Sequence, residues 1–97
     1  MTPEGKVKAA VKRRLNRANA YYFMPVQTGY GAPTLDFLGF HRGDGYAIET
    51  KALGKKLTKR QEVIAHEIEL TGTPVFVIDG AETSYDSLDE WLARRAC

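Results

Sequence analysis

The chain has 97 residues, 43% of them hydrophobic and 27% charged, with a formal net charge of +2. That is enough for one domain with one modest core; no apolar run approaches the length that spans a bilayer, and no segment is of low complexity. Cys97 is the only cysteine and there are two histidines, so an intrachain disulfide framework is excluded and a zinc site is disfavoured. No apolar leader opens the chain, and the expected location is a reducing cytoplasm.

Residues 2–20 predict the first helix. Thr2 suits the N-cap, Pro3 the first helical position, and Glu4 the positive end of the helix dipole. Val7, Val11, Leu15 and Ala18 recur at helical spacing. Residues 21–26, YYFMPV, predict a strand that Pro25 should end. QTGYGAP is a loop. Residues 35–40 predict a second strand, HRGDG a hairpin connection with His41 exposed, and residues 46–51 a third strand antiparallel to the second.

ALGKKL reads as a basic loop, with Gly54 giving it backbone freedom. Thr58 opens a helix reaching about Leu70, with Val63, Ile64, Ala65 and Ile68 on its apolar face and His66 on its surface. Thr58 and Gln61 have the spacing of a capping box. Residues 75–78, VFVI, form a fourth strand whose continuous apolar run suggests burial on both faces. Residues 84–95 predict a last amphipathic helix with Leu88, Trp91 and Leu92 turned inward. The expected fold is α/β, in the sense of an α+β mixed sheet: a three-strand meander, with a fourth strand that can pair in parallel after its helical crossover. The whole chain, residues 1–97, forms a single domain.

In YAIETK, Glu49 and Lys51 are two apart and therefore share a strand face with Ala47, opposite Tyr46, Ile48 and Thr50. Across the hairpin, Asp36 falls opposite Glu49 or one diagonal away. Two carboxylates and an ammonium on one patch read in two ways. They form a salt-bridged trio, or they make a hard-cation site in which Mg²⁺ takes carboxylate oxygens and Lys51 faces a water or phosphate. The basic residues Lys8 and Lys12 on the first helix, and Lys55, Lys56, Lys59 and Arg60 after the third strand, suggest a polyanion-binding face.

The segment from residue 29 to 61, with GYGAP, Asp36, Glu49-Thr50-Lys51, ALGKKLTKRQ and Gln61, resembles the VRR-NUC group of the PD-(D/E)xK nucleases, whose small stand-alone members are frequent in bacteriophages. The resemblance implies a restriction-endonuclease-like αβββαβ core with an added C-terminal helix. It implies a Mg²⁺-dependent DNA endonuclease, with Mn²⁺ able to substitute, acting as a homodimer on branched DNA such as Holliday junctions, in the host cytoplasm if phage-encoded. Asp36 and Glu49 would then hold the metal, with the backbone carbonyl of Thr50, and Glu4 would contact it through water. Lys51 would contact the attacking water or the scissile phosphate, and Gln61 would orient Lys51 or the water. One departure stands out: Thr34, not an acid, follows Pro33, and the acid comes two residues later on the same face.

Tyr30 is expected to stack on a base or sugar of the DNA, and the fourth strand and the Trp91 helix are candidate dimer surfaces. Two other classes stay open, a non-catalytic nucleic-acid-binding module and a protein-interaction subunit. No membrane partner is expected.

Overall fold

A computed structural model describes residues 1–26 and 34–94. The GYGAP stretch with Tyr30, and Cys97, lie outside the described residues.

Helix α1 (Pro3–Arg17) starts as its sequence dictates. Thr2 is extended and its hydroxyl accepts from the Gly5 amide at 3.0 Å. Val7, Val11 and Leu15 are buried, joined by Ala10. The chain then forms β1 (Tyr21–Phe23), β2 (Phe37–His41), β3 (Asp44–Thr50), α2 (Lys59–Glu69), β4 (Val75–Ile78), a 3-10 turn (Glu82–Tyr85) and α3 (Asp86–Arg94). The element order is the expected one. The sheet order is β1-β2-β3-β4, antiparallel through β3 and then parallel between β3 and β4. The protein is an α+β fold with a four-stranded mixed sheet and a C-terminal helix.

The sheet is covered on both faces. On one, α1 and α3 enclose Phe37, Tyr46, Ile48 and Ile78 together with Val11, Leu15, Leu88 and Leu92. On the other, α2 covers Leu35, Ala47 and Ala65, with Leu38, Ile64, Ile68 and Val75 packed around them. The alternation of β3 thus sorts its side chains as expected, Tyr46 and Ile48 to the first face and Ala47 to the second.

Several local expectations are corrected. β1 stops at Phe23, two residues before Pro25, which has no amide to donate. The β2–β3 connection is a two-residue turn, Arg42 and Gly43, both at positive φ (53° and 88°), the backbone twist that short hairpins favour. His41 is buried, not exposed: its Nε2 lies 3.2 Å from the Leu92 carbonyl and its ring neighbours Trp91. The reason is tertiary, since α3 packs across the hairpin end of the sheet. β4 is an edge strand, and Val77 is 44% exposed, so its apolar run does not reflect burial on both faces. Val63 is also exposed; Ala65 is the buried residue of α2.

Gly39 has a specific steric role. The Tyr46 hydroxyl crosses over it to donate to the Tyr21 carbonyl at 2.8 Å. A Cβ at position 39 would lie 2.1 Å from that carbonyl oxygen and 2.6 Å from the hydroxyl. Burial, and secondly the neighbouring Tyr22 phenol, push the Tyr46 hydroxyl well above the ordinary phenol range.

Candidate active site

The β2–β3 ladder ends in an exchange between backbone and side chains. Phe37 pairs with Ile48, which puts Asp36 opposite Glu49. At that step the Asp36 amide donates to Glu49 Oε1 at 3.1 Å, not to a carbonyl. In return Asp36 Oδ2 accepts from the Thr50 amide at 3.0 Å and the Thr50 hydroxyl at 2.6 Å. This is why β2 begins at Phe37 and not at Leu35: two carboxylates take the place of the next ladder bonds.

Glu49 is 4% exposed. Its Oε1 is held by Asp36, its Oε2 accepts from Gln61 Nε2 at 2.9 Å, and Lys51 Nζ stands 3.8 Å from Oε2. Burial, and secondly the Asp36 charge, raise the carboxyl to about 7 from its ordinary 4.5, against the Asp36 amide and Lys51, which favour the anion. The carboxylate is therefore well hydrogen-bonded yet disfavoured as an anion, the condition that a nearby cation relieves.

Gln61 carries two tasks at once. Its Oε1 accepts from the Thr58 amide at 3.0 Å, and its own amide donates to Thr58 Oγ1 at 3.2 Å, completing the capping box at the start of α2. With the carbonyl end so engaged, the NH₂ end points at Glu49. Capping and site contact use opposite ends of one amide and do not compete.

Lys8 on α1 sits 3.4 Å from Glu4 Oε2 and 3.8 Å from Asp36 Oδ1. Glu4 therefore connects to Asp36 through an ammonium. Among the described residues, no group of three His, Cys, Asp or Glu side chains is placed to hold a metal by itself. The donors at hand are Asp36, Glu49 and the carbonyl of Thr50. The Thr50 amide faces Asp36, and in an extended strand the carbonyl of the same residue lies along the same edge. Lys51 turns to the other side, its amide donating to the Ile78 carbonyl at 2.8 Å.

The structure thus brings together Asp36, Glu49, Thr50, Lys51 and Gln61, with Lys8 and Glu4 behind Asp36. Lys55 and Lys56 are exposed in the loop between β3 and α2, Lys59 and Arg60 are exposed on the first turn of α2, and Lys12 is exposed on α1. None of these five enters the hydrogen-bonded cluster. The Thr50 hydroxyl and the Lys8–Asp36 pair escape sequence reasoning: alternation assigns the Thr50 side chain to the far face, and nothing local says that Asp36 reaches across to it.

No family model, curated protein or solved structure matches the chain. Among the described residues, no helix is long and apolar enough to cross a membrane.

Proposed function

We propose that the protein is a Mg²⁺-dependent nuclease that hydrolyses phosphodiester bonds in DNA, as its resemblance to VRR-NUC enzymes suggests. The observation that carries this reading is the convergence of Lys51 and Gln61 on one buried carboxylate, Glu49, beside a second, Asp36. A purely structural ion pair needs no second acid of like charge next to it. Two adjacent carboxylates with a backbone carbonyl fit a hard cation that keeps some of its waters and takes the rest of its shell from substrate.

Asp36, Glu49 and the Thr50 carbonyl would hold the metal. The chemistry a bound Mg²⁺ supplies is polarisation of the scissile phosphate and acidification of the attacking water. Thr50 holds Asp36 through two donors, and Gln61 holds Glu49, so neither carboxylate has to be ordered when substrate arrives. Lys51 presents an ammonium that counters the negative charge developing on the phosphate. Lys55, Lys56, Lys59 and Arg60 leave the site on the same stretch of chain and would grip the phosphate backbone without reading sequence. Lys8 and Lys12 would extend that positive surface along α1.

A panel of labelled hairpins, flaps, four-way junctions and linear duplexes, incubated with Mg²⁺, Mn²⁺ or Ca²⁺, tests substrate class. Branched substrates should be cut with Mg²⁺ or Mn²⁺ in preference to duplex. Equal cutting of junction and linear duplex would sink the structure-specific part of the proposal. Binding without cutting under any metal would favour the non-catalytic nucleic-acid-binding module.

A further inference from the structure

Trp91, on one of the candidate dimer surfaces, is partly buried: it packs against the core beside the rings of Tyr46, Phe76 and His41, at 5.4, 5.8 and 6.0 Å. Three exposed aromatic side chains lie elsewhere. Tyr21, Phe23 and Phe40 are 65%, 54% and 62% exposed. Tyr21 pairs with Phe40 and Phe23 with Leu38, so these four side chains form two cross-strand pairs on one face of β1 and β2. It is the face on which α2 sits; α2 reaches Leu38 but leaves Tyr21, Phe23 and Phe40 exposed.

Between the uncovered half and the end of α2 runs a groove of about 420 Å³, lined by Tyr21, Phe23, Leu38, Phe40, Ile68 and Thr73 with glycine backbone at its floor. Among the described residues, none that lines it carries a charge. A groove for a DNA strand would combine aromatic rings with cations that track the phosphates, and this one has the rings alone. Exposed aromatics with charge excluded are the composition of a protein–protein interface core.

We infer that this β1–β2 face is the surface through which two copies of the chain associate. Rings and a recess lie side by side on one patch, so a ring of each copy can enter the recess of the other across a two-fold axis, the reciprocal contact of an isologous interface. Three rings at these exposures offer roughly 350 Å² of apolar surface per copy, nearly half of the about 800 Å² per partner that a standard interface buries. Ile68 of α2 and Thr73, which wall the groove, continue the same surface. The inference rests on the proposed function in one respect only: a chain with one site needs a second copy to cut two strands in concert.

Sedimentation equilibrium on the metal-free protein without DNA tests the surface separately from the chemistry. Wild type should be dimeric at tens of micromolar, and Val77→Glu, on the opposite edge of the sheet, should remain so. Phe40→Glu and Phe23→Lys should each weaken association at least tenfold while keeping the wild-type circular dichroism spectrum, since both positions are solvated in one copy. A monomeric wild type, or dissociation by Val77→Glu and not by the other two, overturns the inference. An intact dimer in Phe40→Glu with weakened single-strand DNA binding also overturns it and assigns the face to nucleobases. Lys51→Ala should dimerise normally without cutting DNA, so failure of the nuclease reading and failure of the interface reading give different results.

Discussion

Glu49 is the residue on which the site turns. It is buried, hydrogen-bonded at both oxygens and raised to about 7. A carboxyl whose folded value lies above its unfolded one binds more protons in the folded state across the interval between the two. Its contribution to stability is therefore complete below about 4.5 and is lost as pH rises through about 7. For the metal-free protein, the stability of wild type relative to Glu49→Gln should be higher near pH 5 than near pH 8. Denaturant unfolding at the two pH values checks this, and a difference that does not change with pH contradicts it. Bound cation should reverse the trend for wild type, because it stabilises the anion that burial disfavours.

At the scale of elements, the hinge of the site is the junction between the loop after β3 and the first turn of α2. Thr58 and Gln61 close that turn on each other, and Gln61 continues to Glu49. Removing the Thr58 hydroxyl should cost about 1 kcal/mol of stability. It should also lower cleavage more than it lowers DNA binding, because the turn that aims Gln61 loosens. Thr58→Ser should restore both; recovery of neither would argue that the capping box plays no part in the site. Much of this was legible in advance. Strand alternation alone places Glu49 and Lys51 together, and the T-x-x-Q spacing alone locates the start of α2. The onward reach of Gln61 was not legible, because it depends on how α2 docks over β3. His41 was misread for a related reason: a histidine before a tight turn looks exposed until α3 is seen to close over the hairpin end. β4 shows the limit of apolar runs, since four apolar residues in a row leave Val77 on an open sheet edge. The Thr50–Asp36 bonds arise where a ladder gives way to side chains, an event that pairing rules do not describe.

For the molecule as a whole, the two sheet faces divide the work. The α1–α3 side holds the larger part of the core, with Phe37, Tyr46, Ile48 and Ile78 fully enclosed. The α2 side carries less core. Among the described residues it leaves Tyr21, Phe23 and Phe40 exposed on β1 and β2, the face proposed for a second copy, while Glu49 and Lys51 lie at the C-terminal end of β3. The proposed association and the proposed cleavage use different residues, so they should separate by mutation. The central claim is that the cluster at the end of β2 and β3 cuts DNA with the help of a divalent cation. Lys51 tests it most directly, because its ammonium contacts Glu49 and lies outside the core. A cleavage assay on a four-way junction across a Mg²⁺ titration, run beside a gel shift in Ca²⁺, should show metal-dependent cutting by wild type. Lys51→Ala should lose cutting by at least a hundredfold while its DNA binding falls only a few-fold. Wild type that never cuts, or Lys51→Ala that cuts as well as wild type, would contradict the account.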